Sequence, residues 1–363
     1  MALEVGIVGL PNTGKSTLFR ALTKIKADVA NYPFCTIDPN LGIVQLRDPR
    51  MMRLSELICP EKIVNATLHV VDIAGLVKGA SKGEGLGNKF LSHIEQVQAL
   101  AHVVRCFRDS NIVHVEGKVN PISDVRVIQT ELILADLEKT EKKVDRLSSL
   151  IKADRNLVED LSFFQKLRDF LSDGNLARNM ELSEDENLLI RSLNLLTMKP
   201  YLYIANVSED EIENMGNLYS ELKELATKEK VEVIPICAKV ESELTEMEDE
   251  ESKLFMSELG IKTSGIDRFI DSGYKLLEQI TFFTAGKKEV KAWEILSGST
   301  APEAAGKIHS DFEKGFIRAE VFNFDDIDML GSELSVKEAG RWRLEGKDYI
   351  VQDGDVMHFR FNV

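Results

Sequence analysis

An apolar run, residues 3–8, stops at Gly9-Leu10-Pro11-Asn12-Thr13-Gly14-Lys15-Ser16, and a helix-forming stretch, residues 15–25, follows at once. Few short patterns constrain a fold as tightly. G-x-x-x-x-G-K-S between a strand and a helix is a phosphate-binding loop, because its glycines let successive backbone N–H groups converge on phosphate oxygens. The helix N-terminus behind the loop adds the positive end of its dipole. The spacing assigns Asn12, Thr13, Gly14, Lys15, Ser16 and Thr17 to a bound nucleotide. Lys15 supplies a point charge for the β- and γ-phosphates, and the Ser16 hydroxyl is a Mg²⁺ ligand.

Such a loop belongs to a doubly wound α/β sheet, and the rest of the chain supplies one. Residues 68–71, 102–107, 201–205 and 231–236 are short β-branched or aromatic runs separated by helical patterns, which predicts a mostly parallel sheet. Between the runs at 102–107 and 201–205, about residues 123–196, strand character disappears. Leu147, Leu150, Asp154, Leu157, Leu161, Phe164, Arg168 and Leu171 alternate steps of three and four, the spacing of a coiled-coil seam. Ser183 and Glu186 form a capping box that opens a helix over 184–196. After a final helix over 266–283, residues 290–296, 316–321, 348–351 and 358–361 read as strands around a helix over 301–312. The expected organisation is a nucleotide domain (1–122 and 197–277), an inserted helical coiled-coil arm (123–196) and a small α+β domain (278–363).

Composition narrows the setting. With 363 residues, 44% of them hydrophobic, two or three domains can bury real cores. No apolar run approaches the roughly 18–20 residues that cross a bilayer, and Met1-Ala2-Leu3-Glu4 has no secretory character, so a cytoplasmic location without a membrane partner is expected. Cys35, Cys59, Cys106 and Cys237 show no C-x-x-C spacing and read as reduced thiols. A net charge of −15 argues against indiscriminate binding to nucleic acid while leaving room for a local basic face. Residues 241–251, rich in acidic side chains, read as a solvated loop or helix start.

The second half of a triphosphate site is an acidic residue at a strand end. Leu68-His69-Val70-Val71-Asp72-Ile73-Ala74-Gly75 provides Asp72 for Mg²⁺, through water, and the Gly75 N–H for the γ-phosphate. Thr36, in Asn31-Tyr32-Pro33-Phe34-Cys35-Thr36, sits where a switch loop would carry a threonine to Mg²⁺. Residues 78–88 hold four glycines and are expected to order over bound phosphates. The base should be met after the strand at 201–205. Guanine selectivity there requires N-K-x-D, whose aspartate accepts from guanine N1–H and the 2-amino group. This chain has Asn206-Val207-Ser208-Glu209, so guanine selectivity is expected to be lost. Asn206, backbone around Val207 and the Ala238-Lys239 loop are left to read the base.

N-Y-P-F at 31–34, D-I-A-G-L-V-K-G-A-S at 72–81 and G-E-G-L-G-N-K-F at 83–90 resemble the Obg branch of translation-factor-related GTPases, and more narrowly the YchF family of Obg-like ATPases. The resemblance covers the whole chain, including a C-terminal domain similar to the TGS module, a β-grasp fold. It implies an ATPase that prefers adenine to guanine and associates with the ribosome, through its large subunit, and with RNA. The residues add two basic clusters: Lys139, Lys142, Lys143 and Arg146 on the arm, and Arg341 and Arg343 around Trp342. Glu138, Glu141 and Asp145 neighbour the first, so a solvated helix with i,i+4 pairs is an equal reading.

Leu76 stands where related GTPases carry the glutamine that orients the attacking water, so slow intrinsic turnover is expected. His114, after the strand at 102–107, is the candidate hydrolytic group and is also the histidine to which the family resemblance points; His93 and His102 compete. An asparagine at the position of Asn12 can ligate a monovalent cation, which opens a role for K⁺. Two other functions stay open: a ribosome- or RNA-binding module with incidental turnover, and a conventional GTPase.

Overall fold

The computed structural model describes residues 3–24, 40–73, 86–114, 117–151 and 154–362. Its strands, in chain order, are β1 (Glu4–Val8), β2 (Leu41–Gln45), β3 (Lys62–Val64), β4 (Thr67–Asp72), β5 (Ala99–Arg105), β6 (Tyr201–Asn206), β7 (Val233–Ile236), β8 (Gln279–Ala285), β9 (Glu289–Leu296), β10 (Phe316–Asn323), β11 (Arg343–Glu345) and β12 (Asp355–Phe361). The chain divides into two compact units, Met1–Gly42 with His69–Arg268, and Ile43–Leu68 with Phe269–Val363.

In the first unit the strands run β4-β1-β5-β6-β7, every neighbouring pair parallel. β5 and β6 are buried from end to end, as strands covered on both faces must be. This is the expected doubly wound sheet. The helix Lys15–Lys24 follows β1 directly and turns Leu18, Ala21 and Leu22 inward.

The arm begins as part of this core. The helix Pro121–Leu150 starts on Asn120, whose side chain accepts from the Ser123 N–H at 3.0 Å, and Pro121 fills a position that needs no donor. Val125, Ile128, Leu132 and Ala135 pack into the sheet's hydrophobic core. Farther along, Val144 and Leu147 join a second core with Phe163, Phe164, Leu167 and Leu171 of the helix Val158–Ser172. The capping box at Ser183 and Glu186 is present and opens Glu184–Arg191. The predicted seam does not run along one helix: the chain reverses between Leu150 and Val158, Leu150 is exposed, and Asp154 caps a short 3-10 turn by accepting from the Asn156 N–H. Two apolar stripes on the two sides of a hairpin mimic one continuous repeat. At the hairpin's base the buried Asp136 carboxylate accepts from the N–H groups of Leu196 and Thr197 and from the Thr197 hydroxyl at 2.7–2.8 Å, tying the outgoing helix to the returning chain.

The second unit carries a mixed sheet ordered β11-β10-β12-β8-β9-β3. β8 and β9 form an antiparallel hairpin and β12 runs parallel to β8. The helix Ala301–Ile308 seats Ala301, Ala304 and Ala305 against Phe282, Phe316, Val321 and Met357. A hairpin, a crossing helix and a parallel central pair make the expected β-grasp arrangement.

Three boundaries differ from the sequence reading. Residues 43–68 belong with this unit rather than the nucleotide domain, because β3 pairs in parallel with β9 and Arg50, at the start of the helix Pro49–Ile58, bonds both Asp48 and Asp353 and lies over the Phe283 ring. The helix expected over 266–283 is Gly265–Leu276, after which Thr281, Phe282, Phe283 and Thr284, β-branched or aromatic, form β8. In place of the strand expected at 348–351, Ile350 makes a single bridge to Thr300, while the strand that completes that edge is β11.

Candidate nucleotide site

The phosphate loop sits at the C-terminal end of β1, where parallel sheets of this kind bind ligands. Its backbone is held in unusual shapes: Gly9 and Gly14 have φ of 154° and 96°, and Asn12 reaches 62°. A Cβ on Gly14 would collide with the Asn206 side chain, so this glycine is required by contact as well as by conformation. Thr13 is buried, and its hydroxyl bonds the Leu10 carbonyl at 2.9 Å. Ser16 and Thr17 open the following helix and are exposed.

Lys15 is only 7% exposed, and its ammonium donates to the Leu10 carbonyl at 2.7 Å. Burial lowers its pKa to about 8, with Asp72 pulling the other way. Asp72, at the C-terminal end of β4, is raised by burial and lowered by Lys15. The two groups therefore share a poorly solvated spot beside the loop, each favouring the other's charge. A polyanion and a divalent cation would complete the charge balance there. The donor set fits Mg²⁺: a hydroxyl (Ser16) and a carboxylate (Asp72) are hard oxygen ligands, and Mg²⁺ takes only one or two from protein when phosphates supply more. Among the described residues no cluster of three His, Cys, Asp or Glu side chains could hold a metal unaided. Thr36, Gly75, Leu76 and most of the glycine-rich stretch at 78–88 lie outside the described residues.

Asn206 ends β6, and its side chain is a strut. Its Nδ2 donates to the Thr13 carbonyl at 2.8 Å, and its Oδ1 accepts the Ala238 N–H at 3.1 Å. One amide thus joins the phosphate loop to the helix Ala238–Leu244. Val207 is buried, with its N–H donated to Ile236 at 2.9 Å. Lys239 pairs with Glu209 at 3.1 Å, so the carboxylate that replaces the guanine-reading aspartate is held by a neighbouring cation.

His114 falls in a loop that the structure ties down at several points. Arg105, at the end of β5 and almost fully buried, donates to the carbonyls of Phe107, Asp109 and Ile112 at 3.0–3.2 Å. Asn12 of the phosphate loop donates to the Val113 carbonyl at 3.1 Å, bringing the segment against the nucleotide loop. His114 lies along a cavity of about 470 Å³, and its Nε2 is 3.0 Å from the Asp124 carboxylate. His102 is set aside as a competitor: it is buried within β5 against Tyr203, and burial, then Lys15, depresses its pKa to about 3. Sequence reading passed over Arg105 and Asp124. The signal for the first was an arginine closing an otherwise apolar strand; for the second there was none.

The basic clusters fare differently. On the arm, Lys139 pairs with Glu95, Lys142 with Glu138, and Lys143 lies over the Phe164 ring. That is the solvated, internally paired alternative, with Arg146 exposed beside it. In the second unit Trp342 stacks on Phe322 and His358, Lys337 covers it at 3.9 Å, Arg341 pairs with Asp326, and Arg343 reaches Tyr349. These side chains thus also bond and stack within the unit.

Residues 4–146 match a family described as 50S ribosome-binding GTPase, and residues 279–362 match the C-terminal domain of the YchF GTPases, described as a protein of unknown function. The chain is 55% identical to the ribosome-binding ATPase YchF of Bacillus subtilis and 54% identical to that of Pasteurella multocida, each over the full length of both chains. The solved structure of the Schizosaccharomyces pombe YchF GTPase superposes with a TM-score of 0.90 at 38% identity, covering 99% of this chain and 97% of that one. Full-length identity above half, a shared fold and an intact phosphate loop lead to one conclusion: the chain belongs to the YchF family of P-loop nucleoside triphosphatases.

Proposed function

We propose that this protein is a Mg²⁺-dependent ATP hydrolase, a slow cytoplasmic switch that binds the ribosome, through its large subunit and RNA. The observation that carries the choice of nucleotide is the pairing of Glu209 with Lys239. A carboxylate aimed at the base edge would accept from guanine N1–H but repel adenine N1, and Lys239 draws it aside. The names of relatives differ on this point, ATPase for the bacterial proteins and GTPase for the S. pombe one. Asn206, Val207, Ala238 and Lys239 frame the base in this reading.

At the phosphate end Lys15 leaves the Leu10 carbonyl for the β- and γ-phosphates, while the loop's N–H groups from Asn12 to Thr17 surround them. Ser16 and Asp72, with Thr36, would hold Mg²⁺, and Gly75 would meet the γ-phosphate. Bound Mg²⁺ neutralises charge that develops on the phosphate oxygens during transfer. His114 positions or deprotonates the attacking water in place of the glutamine that Leu76 displaces. A K⁺ ion would meet Asn12 at Oδ1, the amide's lone-pair atom, while Nδ2 donates to the Val113 carbonyl.

The test is turnover of ATP and GTP by the purified protein, with and without ribosomes. The reading predicts slow Mg²⁺-dependent ATP hydrolysis that exceeds GTP hydrolysis, and cosedimentation with ribosomes that added salt weakens. GTP turnover equal to or faster than ATP turnover would contradict it.

A further inference from the structure

Three anchors hold the segment that carries His114, and they come from different parts of the first unit. Arg105 fixes the backbone from Phe107 to Ile112 through three carbonyls, and Asn12 holds the Val113 carbonyl from the phosphate loop. Both act on backbone carbonyls. The third anchor meets the imidazole: Asp124 Oδ2 lies 3.0 Å from His114 Nε2, with the histidine and aspartate side chains 5% and 2% exposed. Val113, one residue earlier, is 75% exposed, so the burial belongs to the histidine and not to the loop as a whole.

Asp124 stands in the first turn of Pro121–Leu150, whose start is fixed by the Asn120 cap and by Val125 and Ile128 in the sheet core. A carboxylate on such an element is a rigid reference point. An acceptor placed on one ring nitrogen selects the tautomer and sets the plane in which the other nitrogen works. The low dielectric of a dry pair strengthens that constraint.

We infer that Asp124 is the positioning residue for His114, aligning its imidazole for the attacking water from the root of the inserted arm. Asp124 acts through the histidine. It stands at the fixed root of the helix that continues into the arm, a 30-residue element about 45 Å long. The inference rests on the reading of His114 as the hydrolytic group.

Single-turnover ATP hydrolysis and calorimetric nucleotide affinity are measured for Asp124→Ala, Asp124→Asn, His114→Ala and the Asp124→Ala, His114→Ala double variant. Asp124→Ala should slow hydrolysis at least about tenfold with nucleotide affinity unchanged, and the double variant should be no slower than His114→Ala alone. Asp124→Asn, which keeps the shape and one acceptor oxygen, should recover part of the loss and guards against a folding defect in the alanine variant. A slow His114→Ala beside wild-type Asp124→Ala and Asp124→Asn would overturn this inference alone. A double variant slower than either single one would make Asp124 an independent structural element and overturn it too. Wild-type hydrolysis by His114→Ala would remove the underlying reading of the histidine instead.

Discussion

The two ends of the nucleotide site are built on different principles. At the phosphate end recognition is backbone and charge: glycines at positive φ, a helix start, and a lysine held where water is scarce. At the base end it is side chains already engaged with one another, Asn206 with Thr13 and Ala238, and Glu209 with Lys239. In the proposed reading the first arrangement accepts any triphosphate. In that reading the second decides which base follows, by what its carboxylate is prevented from doing. Asn206 links the two ends through its bonds to Thr13 and Ala238.

The largest break in this comparison should come from Lys15→Ala. Removing the buried Lys15 charge should weaken triphosphate binding by about 100-fold or more, for ATP and GTP alike, with the fold intact. Calorimetry checks it, and unchanged affinity would dissolve the phosphate end as described. The Val207→Lys, Glu209→Asp double variant acts on the other end alone. It should move the ratio of GTP to ATP affinity toward GTP by ~10–150-fold, the worth of a bidentate carboxylate contact, while leaving diphosphate and triphosphate discrimination as it was. His114→Ala belongs to neither end. Turnover should fall at least about tenfold while both affinities hold, because a group acting on water changes kcat rather than binding.

The smallest effect follows from the depressed Lys15 pKa. Below about pH 8 the ammonium is charged before the nucleotide arrives; above it, binding must take up a proton. Affinity should therefore be full at neutral pH and fall as pH rises, by about fivefold between pH 8 and 9. Lys15→Met should abolish this dependence. A flat profile in the wild-type protein would mean that the lysine is not desolvated.

The phosphate end was legible in the sequence because its requirements are local. Glycine spacing, a preceding strand and a following helix all lie within one short stretch, and Asp72 closes the next strand of the same sheet. What escaped depends on distant partners. The role of Asn206 as a strut needs Thr13 beside it, 193 positions away in sequence. Asp124 acquires meaning only when His114 folds back onto it. Residues 43–68 join the second unit through β3 and β9, a pairing that no composition signal announces. Periodicity also carries no sign of direction, which is why a hairpin with Asp154 at its turn read as one seam. The cluster at Trp342 shows the converse limit. Basic and aromatic residues adjacent in sequence suggested a nucleic-acid surface, while the fold spends them on Asp326, Tyr349, Phe322 and His358.

The central claim is that the base end admits adenine because Glu209 is held away from it. Competition calorimetry of the wild-type protein with Mg²⁺-ATP and Mg²⁺-GTP tests this most directly. The account predicts a lower dissociation constant for ATP, with the preference reduced when Lys239→Ala releases Glu209. A GTP dissociation constant equal to or below that for ATP would contradict it.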